Sequence, residues 1–187
     1  MKFKIPKYKY QTKRQRGFTI LESLVAIVVL SLSISGAFSA VQQGLSQSIV
    51  AKDEIKAFYL AQEAIEVIRN RRDVNQLYKI DNPTTLNTWL YGIAENSGDD
   101  CYFGKTCLVD ATSVSDPFKP FSDSWLRQDA TTFLYSYDGG DPATNFKREV
   151  QIESINADEI SVTVRIVWKN GLITREFKVK ALLFNWI

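Results

Sequence analysis

Histidine is absent from the 187 residues. That excludes Ser-His-Asp and Cys-His catalysis and any zinc site built on imidazole. Cysteine is scarce: two residues cannot make a four-thiolate site. No phosphate-binding loop of the form Gly-x-x-x-x-Gly-Lys-Ser/Thr and no Gly-x-Ser-x-Gly elbow occurs. Acidic side chains are missing from residues 1–17, where Lys2, Lys4, Lys7, Lys9, Lys13, Arg14 and Arg16 fall. The remaining chain carries 16 basic and 21 acidic groups, a net of −5 hidden beneath the overall +2. The basic balance therefore says nothing about nucleic-acid binding by the body of the protein. With 45% hydrophobic and 24% charged residues, the composition is that of a folding chain.

What is present is a long apolar run. Residues 18–41 contain one charged side chain, Glu22. As a helix this run is about 36 Å long, against roughly 30 Å for a hydrocarbon core. The basic stretch before it predicts a cytoplasmic N-terminus. A removable secretory signal has a shorter apolar region, ending in small residues at its cleavage site. A plain signal anchor fits the length, but neither reading accounts for Glu22. A carboxylate inside an apolar helix costs several kcal/mol unless paired or protonated. Its nearest cations in the chain are Arg14 and Arg16. A better partner is an α-amine freed by cleavage between Gly17 and Phe18 in another copy.

The run Lys13-Arg14-Gln15-Arg16-Gly17-Phe18-Thr19-Ile20-Leu21-Glu22-Ser23-Leu24 resembles the leader and mature N-terminus of type IV prepilins and type II secretion pseudopilins. Ile20-Leu21 departs from the common Leu-Ile order. The resemblance implies a membrane-embedded prepilin peptidase that cuts after Gly17, N-methylation of Phe18, and an assembly role for Glu22. It also implies that the leader holds the helix in the bilayer until cleavage releases it, after which the amine at Phe18 meets the Glu22 of a neighbour. Residues 57–73 and the C-terminal strand pair are similar, more loosely, to minor pilins and minor pseudopilins.

Beyond the membrane segment, Ala51, Ile55, Phe58, Ala61, Ile65 and Ile68 recur at steps of three and four. They predict one amphipathic stripe of a helix running to Arg72. Gly36, Gly44 and the serines 31, 33, 35 and 39 lower helix propensity midway. Close packing within the membrane and stretching in a filament both explain them. A short helix is expected around Leu86, Trp89, Leu90 and Ile93, opened by Asn82, Pro83 and Thr84. Cys101 and Cys107 enclose five residues and read as a local disulfide in an exported domain, with reduced core thiols as the alternative.

The C-terminal part reads as β. Ile160, Val162, Val164, Ile166 and Trp168 alternate with more polar neighbours. Lys169-Asn170-Gly171 signals a tight hairpin into a return strand. With earlier strands expected at residues 131–137 and 146–155, the prediction is an antiparallel sheet of about four strands. The fold class is α+β and pilin-like, a long N-terminal helix packed on that sheet. Its organisation reads as leader 1–17, assembly helix 18–41, amphipathic helix 42–72 and head 73–187, the head's loops at 73–130 and its sheet at 131–187.

Other sites weigh less. Asp138 and Asp141 in a Gly-rich turn, or Asp99 and Asp100, offer oxygen ligands for calcium, yet Asp and Gly also simply suit turns. Trp89, Trp125, Trp168 and Trp186 fit a sugar or adhesion surface, or equally core packing and subunit contacts. Arg69, Arg71 and Arg72 suit DNA contact in an uptake pilus, or the end of a helix dipole. No catalytic constellation, resident cofactor or metal is expected. The function expected is a structural subunit, minor pilin or pseudopilin, of a type IV pilus or related secretion or DNA-uptake filament. Its partners would be other such subunits, the prepilin peptidase, the assembly machinery and membrane lipid. It would span the cytoplasmic membrane once with the head outside, then enter the filament. An uncut, membrane-anchored binding or adhesin module is the alternative.

Overall fold

A computed structural model describes residues 17–137 and 142–186. The basic residues up to Arg16, with Asp138 and Asp141, lie outside them. Helix α1 spans Ile20–Asp81, and the chain divides between Gln47 and Ser48 into two compact units.

In the first unit, the helix is unbroken through Gly36 and Gly44. Every described residue of this unit is exposed. Residues of this kind leave the unit no core of its own, so its apolar surface calls for cover from outside the unit. It is long and apolar enough to cross a membrane. Two of its serines satisfy themselves: the Ser33 hydroxyl donates to the Val29 carbonyl at 2.8 Å and that of Ser23 to the Thr19 carbonyl at 3.3 Å. Back-bonding of this sort removes a donor that hydrocarbon would otherwise leave stranded.

The second unit is the head. Five antiparallel strands form its main sheet in the order β2-β1-β5-β6-β7. They are β1 (Thr106–Val109), β2 (Phe118–Pro120), β5 (Phe146–Asn156), β6 (Glu159–Asn170) and β7 (Ile173–Phe184). A separate ribbon pairs β3 (Arg127–Gln128) with β4 (Tyr135–Ser136). The α+β layout is the one expected, with one strand more in the main sheet. Strands β5 to β7 fall where strands were expected. The β6–β7 loop has Gly171 at φ 61°, the positive φ that a type II′ hairpin needs at its first loop position.

Several expectations are corrected. Residues 131–137 contribute only β4, because Asp129 gathers the backbone N–H groups of Thr131 and Thr132 and closes a tight loop. The two added strands come from the region read as loops. They are short, and Cys107, Leu108 and Val109 are buried in succession, so no alternation shows. The helix expected near residue 90 is a series of turns. Asn75 of α1 donates to the carbonyls of Trp89 and Tyr91, at 3.1 and 2.8 Å, and Gly92 has φ 67°. Tertiary hydrogen bonds there replace helical ones. Helix α1 also continues past Arg72 to Asp81.

The buried stripe of α1 is Ala57, Leu60, Ala61, Ala64, Ile65 and Ile68. Ala51, Ile55 and Phe58, read as part of it, are exposed. Three alanines let the helix backbone approach the sheet closely, so small residues take the positions that a search for large apolar ones passes over. Against them pack Val150, Ile152, Val162, Val164, Ile166 and Trp168 from β5 and β6.

Candidate assembly site

Gly17, Phe18 and Thr19 are non-helical, and the helix begins at Ile20. Thr19 is its N-cap: its carbonyl accepts from Ser23 N at 3.1 Å and its Oγ1 from Glu22 N at 3.3 Å. Glu22 therefore sits in the first turn, where an acid opposes the partial positive charge of the helix N-terminus. Its side chain is exposed, as are Phe18, Leu21 and Val25 around it. The structure thus places Gly17, Phe18 and Glu22 within one short stretch. Among the described residues, Glu22 meets no cation. Arg14 and Arg16, its expected neighbours in the chain, lie outside them.

In the head, Cys101 and Cys107 form a disulfide with Cα atoms 5.1 Å apart. Both are fully buried. Gly104, at φ 78°, turns the enclosed loop, and its N–H donates to the Ile152 carbonyl at 2.9 Å. The bridge thereby fastens the lead into β1 onto β5.

A polar network beneath the sheet escaped the reading of the sequence. Arg148 of β5 is wholly buried. It donates to the Leu60 carbonyl at 3.0 Å, to Glu63 Oε2 at 2.5 Å and to the Val109 carbonyl at 2.5 Å. Tyr137 donates its hydroxyl to the Arg148 carbonyl at 2.9 Å. Burial pushes the Tyr137 phenol up, against the nearby Arg148 charge. Asp110 accepts from the Thr112 hydroxyl and N–H and from Tyr137 N. Burial alone would raise its pKa, but these hydrogen bonds and the Arg148 charge hold it below the ordinary carboxylate value. The network binds helix, β1, β5 and the chain after β4 together. The signal was a single one, Arg148 in phase with the buried residues Phe146, Val150 and Ile152 of β5.

The remaining candidates separate. Trp89 and Trp168 are core residues, whereas Trp125 is half-buried and Trp186 exposed. Arg69 pairs with Glu66 at 2.5 Å, Arg71 donates to the Ser115 carbonyl, and Arg72 pairs with Asp73 and donates to the Phe184 carbonyl. Since α1 runs on, they do not cap its end. Lys79 occupies the last turn instead. Asp99 accepts from Asn96 N within its own turn. Among the described residues, no cluster of carboxylates or thiols is arranged to hold a metal.

Residues 12–38 match the family model for the prokaryotic N-terminal methylation motif. The chain thus carries the signature of type IV prepilins at its N-terminus. No curated protein and no solved structure matches the chain. The motif belongs to structural pilins, and it supports a processed, pilin- or pseudopilin-like subunit. With the long apolar helix, it fits anchoring in a membrane followed by entry into a filament with other pilins.

Proposed function

We propose that this protein is a minor pilin or pseudopilin, cut by the prepilin peptidase between Gly17 and Phe18, methylated at the new Phe18 amine, and assembled through Glu22. The observation that carries this reading is the match over residues 12–38 on a helix whose apolar half has no cover of its own. Cleavage removes the basic residues that hold the N-terminus at the membrane surface. It also creates an amine beside a carboxylate that an apolar environment does not tolerate unpaired. Pairing of that amine with Glu22 of a neighbour sets an axial register, and repetition gives a non-closing helical assembly. Before cleavage the N-terminus lies on the cytoplasmic side and the head outside.

Intact mass and N-terminal sequencing test this, applied to protein from native membranes and from sheared surface fractions. A chain starting at methylated Phe18 in the sheared fraction is the expected result. A chain starting at Met1 and confined to membranes, in cells with an active prepilin peptidase, would replace it with the uncut binding module.

A further inference from the structure

One end of the head is built for a surface. Arg175 lies 3.6 Å from Glu54, and the rings of Phe58 and Phe177 meet at 6.1 Å, so β7 starts beside the point where α1 enters the head. Lys56 of α1 lies 6.0 Å from the ring of Phe146, the first residue of β5, which pairs with Trp168. The β6–β7 turn, the start of β5 and the entry of α1 therefore share one end.

Two features there are out of place on a merely solvated surface. Leu172, at the tip of the β6–β7 turn, is fully exposed although that position accepts polar residues freely. Phe133, in the β3–β4 loop, is 68% exposed and has φ 60°. That conformation is disfavoured for a bulky side chain. It is held by Phe133 N donating to the Asp129 carbonyl and by Gln128 Nε2 donating to the Phe133 carbonyl. Phe133, Lys56 and Phe146 line a common cavity of about 350 Å³, which puts the loop at this same end.

Charge follows the same polarity. Lys52, Lys56 and Lys169 have no carboxylate partner among the described residues. Lys147 and Lys169 stand 4.5 and 5.5 Å from the ring of Trp125. Of the acids here, Glu54 and Asp123 are paired with Arg175 and Lys147, and Asp129 serves its own loop. Among the described residues, Asp53 alone stands against the three lysines. At the far end of the head Gln76 meets Asn185, Asn185 meets Asp158, and Glu159 meets Asn156.

We propose that this end docks on an anionic lipid surface, the one from which the protein's own helix emerges. Leu172 and Phe133 enter the boundary between headgroups and acyl chains, and Lys52, Lys56 and Lys169 meet lipid phosphates. The occupant follows from charge complementarity and from the tether. In sequence, only residues 42–47 separate the apolar run from the head, so lipid is the surface always within reach. The inference rests on the membrane-anchored state and not on which filament the subunit later joins.

The test uses the full chain, one copy per nanodisc, in phosphatidylcholine alone or mixed equally with phosphatidylglycerol. Hydrogen exchange is read over residues 129–134 and 169–175, with β5 and β6 as the folding control. Slower exchange of both segments in the anionic discs is expected. It should be reversed by salt and weakened about fivefold by each of Lys52→Gln and Lys169→Gln. Leu172→Ser should weaken it further. Equal exchange in the two lipids would overturn the proposal. So would protection that appears only with two copies per disc, which would give the surface to a neighbouring subunit. Failure of the chain to enter discs at all would instead remove the anchored reading beneath it.

Discussion

Arg148 of β5 and Glu63 of α1 form an ion pair at 2.5 Å in which the arginine is wholly buried and the glutamate only partly so. The pair joins the helix to the sheet at the point where Arg148 also holds the Leu60 and Val109 carbonyls. Removing one member of such a pair strands the other. Arg148→Ala is expected to cost the head about 3–5 kcal/mol. Glu63→Gln keeps an acceptor at the partly exposed end and should cost about 1–2 kcal/mol. Thermal unfolding followed by the near-ultraviolet signal of the buried tryptophans separates the two. Equal, small losses would show that the network adds little to the head's stability.

Acid should reach the same network through Asp110. Its pKa is below the ordinary 3.8 in the folded head. A group with a depressed folded pKa contributes stability that is fully present above its unfolded pKa and is lost as pH falls through the folded one. The head is therefore expected to weaken progressively below about pH 4. Asp110→Asn should be less stable at neutral pH and should flatten that acid limb. An unchanged limb in the variant would assign the acid sensitivity to other carboxylates.

The disulfide between Cys101 and Cys107 closes a short loop. By loop entropy its removal in a double serine variant is expected to cost about 2 kcal/mol. The buried positions of both sulfurs add a desolvation penalty for the introduced hydroxyls. Denaturant unfolding of the wild type with and without reductant, beside the variant, tests this. A midpoint that does not move under any of these changes would count against the fastening role given to the bridge.

Glu22→Ala should leave the protein in the membrane, since it removes the one charge from the apolar run. It should also abolish recovery of the subunit in sheared filaments. Quantitative blotting of membrane and sheared fractions is sufficient. Normal incorporation of the variant would take from that carboxylate the role proposed for it.

Gly171→Ala tests the turn at the lipid-facing end. Its φ of 61° is disfavoured for alanine by roughly 1 kcal/mol, and nothing crowds the added Cβ. A small drop in melting temperature is expected. A drop of several times that size would mean the β6–β7 register itself depends on the glycine.

Much of this was legible in the chain. Alternation along residues 160–168 and the Asn170-Gly171 signal located β6, β7 and their turn, because a sheet with one buried face writes a period of two into sequence. The stripe of α1 was legible in part. Ala61, Ile65 and Ile68 are buried as expected, whereas Ala51, Ile55 and Phe58 are exposed and Ala57, Leu60 and Ala64 are buried beside them, two of these being small side chains that hydrophobicity alone ranks low. Strands β1 and β2 left too few residues for any period to show. Arg148 went unremarked because its side-chain partners include groups 85 and 39 residues away.

The sequence by itself determined the N-terminal part of this protein: a basic stretch, Gly17, Phe18, one carboxylate, and a long apolar helix. These are local properties of composition and order, readable without a fold. The tertiary structure decided the head. Only chain crossings could bury Arg148 against Glu63, replace an expected helix near residue 90 with turns held by Asn75, and bring Leu172, Phe133 and three lysines to one end. Those outcomes depend on contacts between residues far apart in sequence, where local propensity is weak and the packing of α1 on its sheet prevails.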